Sequence, residues 1–566
     1  MSPIHICILF YSHELFYAYN FNCLIIFYRE AFHIKTIKHF SQLFFFLLFI
    51  ASFFIAISFP LAYAIDSRWF VRANPLVGFL TFIASRKIIA DFAIATICAT
   101  IATVLFGRVF CGFFCPLGAA IDFVDHFIFK TLRQPQRRPP HYLQKLKYIF
   151  LTAIFLVSLC GVLFPLFTDP LSLITRIFTV FVYPLPLLIG SLVQPLGSLI
   201  GLSDTRMSVP LFYGSTGIGV LVLLIFAGAY WDRRFWCQYV CPSGAFFGLL
   251  SRYALFRRTT HATKCGGCSA CIKKCPTRAI DHADHRKTSV AECILCGECV
   301  GIKKDCSLFT MRRSADYAGK TVGPDIGRRH AILGVAAGAL MLPVLKANAL
   351  GRRDNTGRLV RPPGAVPEDL FNARCLACGQ CMKVCPTNAI QPCTLDDGLH
   401  RLSTPKIVPR IGGCEEKCHV CGNVCPTGAV RKLPYDEKRF AKIGTAVIDK
   451  NRCLAWEQNK ECLVCDEVCP YHAIDPKLLE TSRGRFKVPV VDADLCMGCG
   501  MCEQSCPIFD TAAIVVYKFG ENRRLTGAYM STAQKRMVTE KRKRADIINN
   551  GAGPDSQSPQ GQPAPK

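Results

Sequence analysis

Long apolar runs separated by short charged segments fill the first half of the chain, then give way to short alternating stretches set between cysteine clusters. Four runs, about 41–64, 91–107, 148–168 and 214–231, match the ~20 apolar residues that a membrane-crossing helix takes. A fifth, 171–201, is interrupted by Pro184, Pro186 and Pro195. It reads as a re-entrant or interfacial excursion, because proline disrupts a helix interior. Charge agrees with four spans. With the amino terminus inside, segments 29–40, 108–147 and 232–264 hold 16 Lys and Arg, against 6 in 66–90 and 168–213. This is the asymmetry expected between cytoplasmic and external loops. Residues 1–40 form an N-terminal extension broken by His13, Glu14, Asn20 and Asn22. They fit neither a cleavable signal nor a clean span, which leaves an interfacial segment or a true start near Lys35.

In the second half the period changes. Short strand patterns (TAVIDKNRC, VPVVDADLC) precede cysteine loops, and a repeated CPTRAI, CPTNAI, CPTGAV, CPYHAI follows them. The predicted fold class is therefore an α-helical membrane domain of four transmembrane helices plus α+β bacterial-ferredoxin-like modules, one two-cluster and one four-cluster. The predicted domains are 1–40, the extension; 41–260, the membrane domain; 261–312, the two-cluster module; 313–349, a linker and signal or anchor helix; 350–520, the four-cluster module; and 521–566, a disordered basic and polar tail.

Composition narrows the class. The chain has 566 residues, 51% hydrophobic and 19% charged, with a net charge of +27 and 33 cysteines. Few charges and many apolar residues exclude a disordered protein, and the clumped cysteines exclude a small disulfide scaffold. An ordinary soluble enzyme does not carry four such apolar runs, and nothing suggests a nucleic-acid module.

The cysteine spacing carries the chemistry. Cys265, Cys268, Cys271 and Cys275 form the C-x2-C-x2-C-x3-C-P run of bacterial ferredoxins, followed by Cys293, Cys296, Cys299 and Cys306. Four further motifs are Cys375, Cys378, Cys381, Cys385; Cys414, Cys418, Cys421, Cys425; Cys453, Cys462, Cys465, Cys469; and Cys496, Cys499, Cys502, Cys506. Three thiolates on one tight loop bind one cubane, and the fourth ligates the other cluster of a two-cluster unit. Structural zinc uses separated CxxC pairs without a third cysteine at the same interval. Six [4Fe–4S] clusters on 24 ligands are expected. In the first module, Cys265, Cys268 and Cys271 should share a cluster with Cys306, and Cys293, Cys296 and Cys299 with Cys275. The later four motifs permit nested or sequential pairing, and nested pairing is preferred because the two irregular motifs would then be partners.

Two more motifs lie inside the membrane half. GRVFCGFFCPLGAA holds Cys111 and Cys115, and DRRFWCQYVCPSGAF holds Cys237 and Cys241. The shared frame suggests an internal duplication. These four cysteines act either as two dithiols or, if they converge, as ligands of a seventh iron–sulfur centre. Cys7, Cys23, Cys98, Cys160 and Cys393 read as incidental thiols. No predicted span contains a histidine and no CxxCH motif occurs, so no haem is expected.

Between the modules, Arg328-Arg329 precede a 15-residue apolar run containing Pro343, then Lys346 and Ala347-Asn348-Ala349. These are the parts of an export signal, and the paired arginines resemble a twin-arginine signal. Cleavage after Ala349 and retention as a tether both remain open.

With these motifs in order, residues ~35–312 resemble the NapH/MauN family. The stretch from Asp169 to Arg176 (DPLSLITR) is similar to the wider group that includes nitrous-oxide regulator-type polyferredoxins. Residues ~328–520 resemble the NapG/MauM family of exported polyferredoxins. The resemblance implies a quinol dehydrogenase in the cytoplasmic (inner) membrane, with residues 261–312 on the cytoplasmic side and 350–566 on the periplasmic side. Its partners would be membrane quinol and a periplasmic reductase, nitrate reductase above all, or a multihaem cytochrome. The fusion departs from that pattern. No general acid/base constellation or nucleophile stands out, so an electron-transfer subunit is expected rather than a substrate-converting enzyme. A maturation factor and a redox sensor are the competing classes.

Overall fold

The computed structural model describes residues 16–56, 68–129, 141–163, 169–189, 210–212, 215–260, 265, 267–300, 302, 306–311, 321–322, 327–346, 357–481 and 484–549. Residues 1–15, Ala347-Asn348-Ala349 and the end of the tail from 550 lie outside that set, so the start, the cleavage motif and part of the tail expectation fall outside the described residues.

Helices occupy all four predicted spans, with shifted limits: Phe16–Ile55, Ala90–Phe106, Leu146–Leu159 and Ser215–Trp231. Among the described residues the helices long and apolar enough to cross a bilayer are Ile34–Ile55, Tyr142–Leu159, Pro170–Ile189 and Arg328–Leu345. Ala90–Phe106 and Ser215–Trp231, at 17 residues each, are slightly shorter. Pro184 did not act as expected. Pro184 begins a fresh helical turn after Tyr183 rather than interrupting one, so the segment from Pro170 stays helical to Ile189. Pro343 lies near the C-terminal end of a 19-residue helix, Arg328–Lys346, which is longer than the 15-residue apolar run.

That last helix packs along Leu146–Leu159. A Cβ on Gly334 would meet Thr152 Cβ at 2.6 Å and the Ile149 carbonyl at 3.1 Å, and one on Gly338 would meet Ala153 Cα at 3.1 Å. Small residues four apart let two membrane helices approach this closely. Numbers rise together along both helices, so they run parallel.

The ferredoxin modules contact opposite ends of the same helices. At one end, Gly297 lies against Ile34 of the first helix, and Glu292 takes hydrogen bonds from Lys147 at 2.6 and 2.5 Å. At the other end, Lys383 donates to the Phe53 carbonyl at 2.9 Å, and the Leu163 amide to Asn372 at 3.2 Å. From Ile34 to Phe53 the helical rise is about 28 Å, close to the ~30 Å hydrocarbon core of a bilayer. Pro170–Ile189 runs under the second module, where Arg176 donates to the Ala377 carbonyl at 2.7 Å and Thr179 lies against Gly379.

Each module is built on short antiparallel pairs. Phe256–Thr260 pairs with Ser307–Met311, enclosing the first two motifs. Ile390–Pro392 pairs with Pro405–Ile407, and Ala365 bridges Val430, around the next two. Thr445–Ile448 pairs with Ile514–Tyr517 around the last two. The predicted four-cluster block is therefore two closed units, joined where the Cys414 amide donates to the Cys499 carbonyl at 2.7 Å and Arg410 reaches the Cys506 carbonyl at 2.9 Å. Thr532–Asn549, in the predicted disordered tail, is a helix. Its Arg542 lies over the Tyr471 ring at 4.6 Å, and its Lys535 pairs with Glu437, contacts no tail composition announces.

Candidate metal centres

In the first module the strand pair closes the chain so that each fourth cysteine crosses to its neighbour's loop. Cys275 is within charge–charge range of Cys293, Cys296 and Cys299. Cys306 interacts with Cys265 and Cys271, and Cys271 in turn with Cys268. These are the two groups the spacing predicts.

For the later motifs the nested preference is overturned. Cys425 joins Cys375, Cys378 and Cys381, and Cys385 joins Cys414, Cys418 and Cys421. Cys469 joins Cys496, Cys499 and Cys502. Cys453 and Cys462 gather with Cys465, and Cys506 packs beside Cys453. Pairing is sequential because each strand pair closes around two consecutive motifs. Irregular spacing within a loop did not bear on which loops meet.

The membrane motifs also converge. Cys115, Cys237 and Cys241 each interact with Cys111, and Cys241 with both Cys237 and Cys115. Each motif is one π-helical turn, Phe110–Phe114 or Trp236–Val240, followed by a helix with proline at its first position. Proline suits that position because its missing N–H would have had no intrahelical partner. Cys115 and Cys241 are the N-caps, their Sγ atoms taking the Gly118 and Gly244 amides at 3.5 and 3.3 Å. Two buried guanidinium groups cross between the copies. Arg234 donates to the Cys111 carbonyl at 2.9 Å and to both oxygens of Asp122 at 2.8 and 2.7 Å. Arg108 lies 2.9 Å from the Cβ position of Gly244 and bonds Glu292 at 3.1 Å.

The donor sets fit iron–sulfur clusters. Burial pushes the thiols of Cys293, Cys465 and Cys499 up to about 12, so groups of such thiols hold thiolates only against a cationic centre. Three thiols on one loop, such as Cys375, Cys378 and Cys381, joined by Cys425 from a second loop, are the donor set of an iron–sulfur cluster rather than the separated CxxC pairs of structural zinc. Among the remaining cysteines, Cys98 and Cys160 are exposed, and Cys393 is buried beside Arg361 at 3.6 Å.

Several neighbours of these groups are invisible in the spacing. Arg176, buried in the membrane segment, is within charge range of Cys375 and Cys378. Lys383, also buried, lies 3.7 Å over the Phe53 ring. Asp169 takes bonds from Asn74 at 2.5 Å and Ser243 at 2.7 Å, linking the DPLSLITR segment to the turn after Cys241. Charged and polar residues inside apolar segments were the available signal, since such groups are costly there unless paired.

Comparison with known proteins agrees. A 4Fe-4S dicluster domain matches residues 460–509, and 4Fe-4S binding domains match 371–391 and, in a second type, 92–134, 214–261 and 419–443. Two matches of the second type cover the membrane motifs. The methylamine utilization ferredoxin-type protein MauM of Methylophilus methylotrophus is 34% identical over 171 residues, 30% of this chain and 74% of that protein. The ferredoxin-type protein NapG of Escherichia coli is 35% identical over 214 residues, 35% of this chain and 88% of that protein. MauM of Paracoccus denitrificans is 38% identical over 166 residues, 28% of this chain and 71% of that protein. No solved structure matches. An iron–sulfur electron-transfer chain with membrane-crossing helices, this protein belongs to the MauM/NapG family of ferredoxin-type proteins.

Proposed function

We propose that the protein takes electrons from membrane quinol and passes them across the bilayer to a periplasmic reductase system of the nitrate-reductase kind. Six [4Fe–4S] clusters would be held by the 24 ferredoxin-type cysteines and a seventh iron–sulfur centre by Cys111, Cys115, Cys237 and Cys241. When bound, such clusters accept and release single electrons. The supporting observation is the order of the cysteine groups along the molecule. The group around Cys293 faces the membrane motifs, where Arg234 reaches Cys237 and Cys296 alike. From Cys241 the Ser243–Asp169 bond leads into the segment whose Arg176 touches the loop of Cys375 and Cys378. Beyond it, the groups around Cys414 and Cys499 meet through the Cys414–Cys499 backbone bond, and the group of Cys453, Cys462 and Cys465 is the last. The excess of basic residues on the Cys293 side supports placing residues 261–312 in the cytoplasm and 350–566 in the periplasm. The ferredoxin-type relatives NapG and MauM support iron–sulfur electron transfer, and the quinol source and reductase target rest on the resemblance to the quinol-dehydrogenase family.

The test is reduction of the anaerobically purified full chain in liposomes by a quinol, followed by bleaching of the cluster absorbance, with iron counted on the same sample. The expected result is bleaching and about 28 irons per chain, falling to about 24 in Cys241→Ala. Clusters left oxidised by quinol would remove the quinol reading. A parental count of about 24, unchanged by Cys241→Ala, would remove the seventh centre.

A further inference from the structure

A cleft of about 1070 Å³ opens between the first helix and the helix that begins at Pro116. Its walls are mixed in character: Leu43, Leu47, Phe123 and Phe127, each more than half exposed, alternate with His39, Gln42, Asp122 and His126. On the first helix His39 and Gln42 lie nearer Ile34, which meets Gly297 of the first ferredoxin module, and Leu47 lies further along the span Ile34–Ile55. From His39 to Leu47 the helical rise is about 12 Å, enough for a polar ring at one level and an apolar tail at another. Asp122 is committed elsewhere, bound by Arg234, by Gln42 at 2.9 Å and by Lys38 at 3.3 Å. Asp125 is paired with Arg233 at 3.1 Å. The imidazoles of His39 and His126 are left to face the cleft.

Two cysteine groups adjoin this space. The helix forming one wall starts from Cys115, whose carbonyl takes the Ala119 amide at 3.0 Å, and Ala119 lines the cleft. Glu298, between Cys296 and Cys299 in sequence, lines it too. A concave, mostly apolar pocket with a few convergent polar groups is the usual form of a small-molecule site, and here it lies at the membrane edge beside the proposed redox centres.

We infer that this cleft is the quinol site, with the hydroquinone ring between His39 and His126 and the isoprenoid tail leaving past Leu47 and Phe127 into the bilayer. This rests on the quinol reading above and names its place. Oxidation breaks the two O–H bonds of the quinol. An oxidised iron–sulfur centre held by the adjacent cysteines would take its two electrons one at a time, and the ring nitrogens of His39 and His126 would accept its two protons. The product is the quinone.

The test uses the full chain in nanodiscs and two probes. A photoreactive azidoquinone should label peptides within residues 38–47 or 119–128, and excess decylubiquinone should prevent it. Decylubiquinol should bleach the parental clusters, while Leu43→Trp, which fills the cleft, and the double variant His39→Gln/His126→Gln should slow bleaching at least tenfold. Their dithionite-reduced EPR spectra should stay unchanged, which separates a blocked cleft from a damaged cluster. Variants that bleach at the parental rate overturn the site. So does labelling elsewhere, for example at the 640 Å³ cleft of Arg86, Glu368 and His400 at the other end of the helices, and so does the absence of competed labelling. Competed labelling in this cleft with no bleaching of the parental protein keeps the site and removes the quinol-dehydrogenase reading.

Discussion

Replacing Glu292 with Gln should loosen the first ferredoxin module from the membrane helices. Glu292 precedes Cys293 and lies between two buried cations, Lys147 at 2.6 and 2.5 Å and Arg108 at 3.1 Å. The side chains of Lys147 and Arg108 are 0% and 1% exposed, and that of Glu292 is 8% exposed. The substitution keeps shape and removes one charge, so the buried trio goes from one net positive charge to two. At an effective dielectric of 20, one contact of about 3 Å is worth about 5 kcal/mol. Removing one partner of a buried pair costs about 3–5 kcal/mol in practice. Taking the lower figure, the population of undocked module rises at least a hundredfold, since 1.4 kcal/mol is a factor of ten. Limited proteolysis of the detergent-solubilised full chain reads this as faster cleavage within residues 256–311. Adding Lys147→Met returns the trio to one net positive charge and should recover most of the loss. A Glu292→Gln protein cleaved within twofold of the parental rate would refute the buried ionic contact.

Three more outcomes follow from close contacts. Gly334→Leu should lower the thermal midpoint of the solubilised protein by an amount corresponding to about 1–3 kcal/mol, because the helices already meet at that glycine; an unchanged midpoint would show that they do not. Gly422→Ala drives a Cβ into the Arg431 carbonyl, beside Cys421. Iron analysis should find about four fewer irons per chain, and a full complement would contradict the fit. Glu368 is bound by Arg361 at 2.6 Å and Arg523 at 2.6 Å. Burial works against its charge, but the two arginines outweigh burial and hold the carboxyl well below the usual range. Its folded pKa is thus below its unfolded one, so its contribution is full above about pH 4.3 and lost as pH falls further. Glu368→Gln should cost about 2–3 kcal/mol at pH 7. The gap in denaturant midpoints between parent and variant should shrink at pH 4 and below, and a gap independent of pH would show the carboxylate unpaired.

Spacing exposed the cysteine groups because three thiols on one loop are a local matter, settled within seven residues in the regularly spaced motifs. Partnership between loops was not legible, because it depends on strands as far apart as Thr445–Ile448 and Ile514–Tyr517 meeting. Those strands were themselves readable, TAVI before Cys453 and IVVY after Cys506, and their pairing would have favoured sequential partners. A helix limit failed at Pro184 for a related reason: it was read as a break, yet it stands where a helical turn begins. Arg176 is marked by its apolar surroundings, but the partners of Arg176, Lys383 and Lys147 were not readable, since each acceptor lies more than a hundred positions away. The cleft was out of reach for the same cause, built from residues 38–47, 119–127, Arg233 and Glu298.

If the chain stays uncut after Ala349, the helix Arg328–Lys346 ties the two cysteine-rich halves into one polypeptide, and this changes the kinetics of their meeting. Separate subunits would find one another by diffusion in the membrane plane, at a rate that falls with dilution. A covalent tether fixes one copy of each half per molecule and sets a local concentration on the order of millimolar. Transfer between the halves should therefore be first order and indifferent to how sparsely the protein populates its membrane.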